Sequence, residues 1–169
     1  MLTKNGAIYY ACFLFLSDGE SNLPTLVNKA GENVSNLTLA NSYSTAVMNG
    51  GNTFTAPNVF MRLGVGSNPV SDNDYNLTDT TNGVDINTLF EVDDFAINND
   101  VQNKRYVYYY KFKYKGSNEL TVNEAGLFIG TEYSGNNFFL LNRIVESKTV
   151  NTGDYLEVRF SLDFNSLLN

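Results

Sequence analysis

Along the last third of the chain, apolar and polar residues alternate at nearly every step. From Tyr155 to Phe164, Leu156, Val158, Phe160, Leu162 and Phe164 share one face, and Glu157, Arg159, Ser161 and Asp163 share the other. A period of two is the mark of a half-buried β-strand. The same period runs through residues 106–115. Tyr108, Tyr110, Phe112 and Tyr114 fall on one side there, with Tyr109, Lys111, Lys113 and Lys115 on the other. Shorter apolar runs predict further strands at 58–65, at 86–98 with irregular edges, from Leu120 into the segment 123–129, and at 138–145. Turns are expected at 116–118, 133–137 and 150–154, where Gly, Asn, Ser and Asp gather.

The first third is less regular. Residues 5–16 are apolar at almost every position, so periodicity fits a helix or a fully buried strand. Asn5-Gly6 would cap such a helix and Ser17-Asp18-Gly19 would end it, whereas the aromatic content favours a strand. The run has the look of a secretory core, but Ser17-Asp18-Gly19-Glu20 follows instead of a small-x-small cleavage site. It is also too short to span a bilayer. Residues 17–57 are polar and turn-rich, with Pro24, Gly31 and Gly50-Gly51. Short strands are expected near 36–40 and 53–55. The stretch reads as a loop-rich insertion in a single domain of 169 residues, one that touches a neighbouring subunit.

Composition sharpens this picture. Charged residues are 17% and asparagine is the commonest residue, which suits short strands joined by many turns. The net charge of −7 argues against a nucleic-acid partner. The basic residues Lys104, Arg105, Lys111, Lys113 and Lys115 read as one wet strand face, and lysine on an edge strand discourages pairing with other chains. Histidine is absent, which removes imidazole bases and imidazole ligands. Cys12 stands alone, so no internal disulfide is expected, and its apolar surroundings make it a small core residue.

The candidate chemistry is thin. Gly64 and Gly66 match the start of a dinucleotide-binding loop, but the third glycine is missing and Pro69 blocks the helix that should follow. Asp72, Asp74 and Asn76 have calcium-loop spacing, but Leu77 occupies the glycine position and Gly83 the position of the bidentate carboxylate. No cofactor or metal is expected. Asp93 and Asp94 are adjacent in a strand, so they should point apart and make a poor catalytic pair. Tyr108 and Tyr110 are the best candidates for a sugar-stacking platform. Alternation favours burying them in the core instead.

The order of several short motifs resembles that of β-sandwich virion proteins of tailed bacteriophages. These are Leu2-Thr3-Lys4-Asn5-Gly6 with its apolar follow-on, Leu63-Gly64-Val65-Gly66-Ser67-Asn68-Pro69 followed by Asp72 and Leu77, Asn123-Glu124-Ala125-Gly126-Leu127-Phe128, and Leu141-Asn142-Arg143. The matches span most of the chain, although residues 19–57 have no assigned counterpart. The resemblance implies a mainly β protein, an antiparallel two-sheet sandwich of jelly-roll type, with a short N-terminal helix set against local propensity. It implies a non-enzymatic auxiliary capsid or head-fibre subunit in the virion, made in the host cytoplasm. Symmetric copies of itself, as a trimer, and a major capsid protein would be its partners. A tail or baseplate component is the alternative within the class. A carbohydrate-binding module, attaching to host surface polysaccharide, is the alternative outside it. Gly126 would let two layers approach closely, and Glu124 and Arg143 would pair and fix register at an interface.

Overall fold

The structure, a computed structural model, describes residues 1–7, 25–34, 58–100, 102–103, 105–130 and 138–163. It is mainly β, with antiparallel sheets and one short helix. The strands are β1 (Leu26–Val27), β2 (Asn33–Val34), β3 (Asn58–Gly64), β4 (Thr80–Thr81), β5 (Val84–Asp85), β6 (Phe90–Asp100), β7 (Arg105–Tyr114), β8 (Leu120–Gly130), β9 (Phe138–Val150) and β10 (Tyr155–Asp163). They form two three-stranded sheets, ordered β10-β7-β6 and β3-β8-β9, and two small hairpins, β1-β2 and β4-β5. The strands expected near 36–40 and 53–55, the turn at 133–137, Cys12 and most of the loop-rich insertion lie outside the described residues.

Contacts divide the chain into two compact units. The first holds Met1–Phe60, Val70–Asn76 and Leu127–Arg143. In it, residues 1–3 run antiparallel beside β9, bridging Leu2 to Asn142. Residues 4–7 then turn into a helix. Its cap is Thr3, whose Oγ1 accepts the Gly6 N–H at 3.1 Å and donates to the Leu140 carbonyl at 2.5 Å. Asn5, expected as the cap, sits inside the first turn and works elsewhere. Its amide accepts the Val27 N–H at 2.8 Å and donates to the Val27 carbonyl at 2.6 Å, so it stands beside β1 as a piece of strand backbone would. Phe60 stacks on Phe128 at 5.7 Å in the same unit.

The second unit holds Met61–Pro69, Leu77–Gly126 and Ile144–Asn169. Here β7 is the central strand. Its apolar row faces those of its neighbours in register: Phe112 opposes Leu156 and Val92, Tyr110 opposes Val158 and Phe95, and Tyr108 opposes Phe160 and Ile97. The aromatic rings gather as Phe90 on Tyr114 at 5.0 Å, Phe95 on Tyr110 at 5.8 Å and Tyr110 on Phe112 at 5.8 Å. Pairs of this kind stabilise by about 0.5–1.5 kcal/mol beyond the area they bury.

The opposite face of β7 corrects one expectation. The lysines are not on an edge strand. Lys111 lies between Glu157 and Asp94, and Lys113 between Tyr155 and Glu91, so the basic row sits among cross-strand carboxylates. The irregular segment 86–98 also resolves differently. Ile86–Leu89 is a 3₁₀ turn, capped by the Asp85 carboxylate, which accepts the Asn87 N–H at 2.9 Å. β6 begins at Phe90 and breaks register between Val92 and Asp94. That bulge brings Asp93 Oδ2 to 3.2 Å from Lys111, whose Cα partner is Asp94.

Candidate functional site

Glu124 lies in the middle of β8 and is 1% exposed. A carboxylate so deep needs donors, and Oε1 has them. It accepts the Thr78 N–H at 2.6 Å and the Gly66 N–H at 3.0 Å. Val65 donates to the Thr78 carbonyl at 2.7 Å, closing the neck of the loop between them. Next to Glu124, Asn123 Nδ2 donates to the Val65 carbonyl at 2.8 Å. Gly64 and Gly66 are small because Glu124 fills the adjacent space. A Cβ on Gly64 would lie 2.6 Å from Glu124 Cγ, and one on Gly66 would lie 2.5 Å from Oε1. Two motifs far apart in sequence thus form one structural device.

Arg143, 5% exposed, belongs to the first unit. Its Nη1 donates to Asp74 Oδ2 at 2.7 Å, and that oxygen also accepts the Ser71 N–H at 2.8 Å. Lys4 joins the same loop, donating from its backbone to Asp72 and from Nζ to Asn73. The calcium-like spacing of Asp72, Asp74 and Asn76 has this physical content: Asp74 is the counter-ion of an arginine. Among the described residues, no group of three His, Cys, Asp or Glu is placed to hold a metal ion. Glu124 and Arg143 belong to separate compact units. Gly126 is buried in β8.

Tyr108 is 1% exposed and Tyr110 is 7% exposed. Both lie in the core, the side that the alternation favours, and neither ring offers a face to a sugar, which corrects the alternative of a stacking platform. Burial pushes the Tyr110 phenol up to about 12.

A third cluster carried no motif in the sequence. Arg62 on β3 reaches Asp79 at 2.7 Å and Asp85 at 2.6 Å, tying the β4-β5 hairpin to its own strand. Burial opposes ionisation of Asp85, but hydrogen bonds from Asn87 and the Arg62 guanidinium outweigh it and hold the carboxyl below its usual range. Asn87 also accepts the Leu63 N–H at 2.8 Å and donates to its carbonyl at 3.0 Å.

A cleft of about 580 Å³ opens in the second unit. Leu63, Val122 and Ala125 form one wall, and Leu156 and Val158 another. Glu146 and Lys148 of β9 and Glu157 and Arg159 of β10 stand around it. The two strands belong to different sheets, and each is one of the two outer strands of its sheet. Apolar walls under a mixed-charge rim are the make-up of a protein contact. On the β10 side the charges are held at home. Arg159 is 3.7 Å from Glu157 and lies over the Tyr109 ring, while Lys111 lies over the Tyr155 ring at 4.2 Å. The hydrogen bond that Lys111 donates to Asp93 raises its ammonium above the ordinary range. The signal for this cleft was present in sequence as Glu146-Ser147-Lys148, which follow the apolar pair Ile144-Val145. No family model, curated protein or solved structure matches the chain.

Proposed function

We propose that this chain is a non-enzymatic structural subunit of a tailed-phage virion, head-associated as an auxiliary capsid or head-fibre protein. The observation that carries this reading is the joining of Leu63-Gly64-Val65-Gly66 to Asn123-Glu124. Two of the four motifs on which the resemblance rests meet through Glu124 Oε1, and Gly64 and Gly66 are explained by the room that Glu124 takes. A chance resemblance gives no reason for distant motifs to meet. The buried Glu124 and Arg143 and the half-buried Arg62 support the same reading, because each braces a loop or hairpin.

The architecture proposed is a two-sheet sandwich of jelly-roll type. Its support is the cleft, which residues of both three-stranded sheets line, together with the buried apolar rows of β7 and β10. Assembly is symmetric, with copies of the chain and a major capsid protein as partners, and the trimer is the arrangement the resemblance suggests.

Quantitative peptide mass spectrometry of purified particles tests this proposal, with the chain counted against the major capsid protein. A ratio near unity or a simple fraction supports a head position. A ratio far below that moves the protein to the tail or baseplate. Absence from particles overturns the virion reading.

A further inference from the structure

The two larger sheets have β3, β9, β10 and β6 as their outer strands. An outer strand presents peptide N–H and C=O groups that template the addition of another chain. On β3, the Asn87 amide covers the Leu63 peptide. β6 is broken by its bulge and carries exposed Glu91, Asp93 and Asp94 there, whose shared sign repels a second copy. The charges of β10 are held within its own sheet by Tyr109 and by each other.

β9 differs from all of these. Near its start the edge already takes an added strand. Thr3 N–H donates to the Leu141 carbonyl and Arg143 N–H donates to the Met1 carbonyl, both at 3.1 Å. These bonds show that odd-numbered residues turn their peptide groups outward. By the two-residue repeat, Val145, Ser147 and Thr149 do the same. Residues 145–149 are exposed, and no strand among the described residues covers them. Glu146 and Lys148 flank Ser147 on one face. Neither has an ion-pair partner among the described residues.

We infer that β9 pairs antiparallel with β9 of a second copy, centred on Ser147. In that register Glu146 opposes the partner's Lys148 and Lys148 opposes the partner's Glu146. Val145 opposes the partner's Thr149. Ser147 meets itself as a hydrogen-bonded pair, with Cα atoms about 5.5 Å apart. A single-sign edge would repel its copy, but Glu-Ser-Lys attracts one twice. The contact is isologous and joins copies two at a time. The inference deepens the self-assembly proposed above and gives it a two-fold contact in addition to, or in place of, a three-fold one.

Sedimentation of the full chain tests it. The wild type is expected to dimerise. Glu146→Lys or Lys148→Glu alone puts like charges opposite each other and should weaken the dimer by about tenfold or more. Mixing these two variants should form the heterodimer, and Glu146→Lys with Lys148→Glu in one chain should restore the homodimer. In a Cys12→Ser background, Ser147→Cys should oxidise to a covalent dimer, since the expected Cα spacing suits a disulfide.

A monomeric wild type overturns the inference. An oligomer indifferent to the single reversals also overturns it, but leaves self-assembly standing. If the double exchange in β9 dissociates the oligomer, and adding Glu157→Arg with Arg159→Glu restores it, β9 pairs with the partner's β10 and the inference falls. The particle ratio described above tests the virion reading separately.

Discussion

The Gly66 N–H donates to Glu124 Oε1 at 3.0 Å, and that same oxygen lies 2.5 Å from where a Cβ on Gly66 would sit. The hydrogen bond and the missing side chain are one fact seen twice. A buried carboxylate needs backbone donors close by, and a donor this close leaves no room for a methyl group. Thr78 narrows the space further, with Oγ1 2.8 Å from the same point.

Gly66→Ala is therefore expected to destabilise the protein by about 1–3 kcal/mol through overpacking. Urea denaturation measures it. Glu124→Ala in the same chain removes the obstruction, so the double variant should lose less than the sum of the two singles. Strict additivity would mean that the close approach carries no strain.

Glu124→Gln keeps the shape and one acceptor oxygen but loses the charge assistance. A loss of about 1 kcal/mol is expected. Glu124→Leu leaves the Gly66 and Thr78 N–H groups without this acceptor and should cost at least about 2 kcal/mol more. Equal stabilities for the two variants would show that solvent replaces the carboxylate.

Much of the fold was legible because β alternation is enforced by the backbone itself. The strands expected at 58–65, 106–115 and 155–164 correspond to β3, β7 and β10. β9 was expected to stop at 145 but runs to Val150, because a strand exposed along its edge tolerates Glu146, Ser147 and Lys148. Asn82-Gly83 turns the β4-β5 hairpin with both residues at positive φ, a strong local signal that the calcium-loop comparison of 72–83 passed over. The asparagines were less legible. Asn5, Asn87 and Asn123 dock on the backbone of Val27, Leu63 and Val65, and only the fold determines those partners. Their amides carry the same donor and acceptor as a peptide group, which gives the Asn-rich composition a structural use.

Arg143→Met removes the counter-ion of Asp74 while keeping the apolar stem. Breaking a fully buried pair costs about 3–5 kcal/mol, and because Asp74 reaches solvent a loss nearer about 2 kcal/mol is expected. Asp74→Asn should cost less than that, since the amide oxygen still accepts from Ser71. Thermal unfolding ranks the two, and the reverse order would place the weight of the interaction on Asp74.

Asp85 sets an acid limit. Its folded pKa is lowered from an unfolded value of about 3.9. The unfolded chain then binds its proton first as pH falls. The stabilisation from this group is present above the unfolded value and is lost as pH falls through the folded one. Asp85→Asn should be less stable than wild type near neutrality, and the gap should narrow in acid. Urea midpoints across that range measure it, and a constant gap would assign the loss to hydrogen bonding alone.

Tyr110 sets the alkaline limit. Its phenol titrates at about 12 in the fold against about 10 in the unfolded chain. Between those values the native state keeps a proton that the unfolded state has lost. Stability is therefore fully present below about 10 and falls as pH rises towards about 12. Tyr110→Phe removes this contribution, so its stability should decline less steeply over that interval than wild type. Phenolate absorbance at equilibrium should also lose its most alkaline component. If the two stability curves run parallel through the whole interval, the Tyr110 phenol titrates equally in the folded and unfolded chains, and its ring is reached by water in the native state.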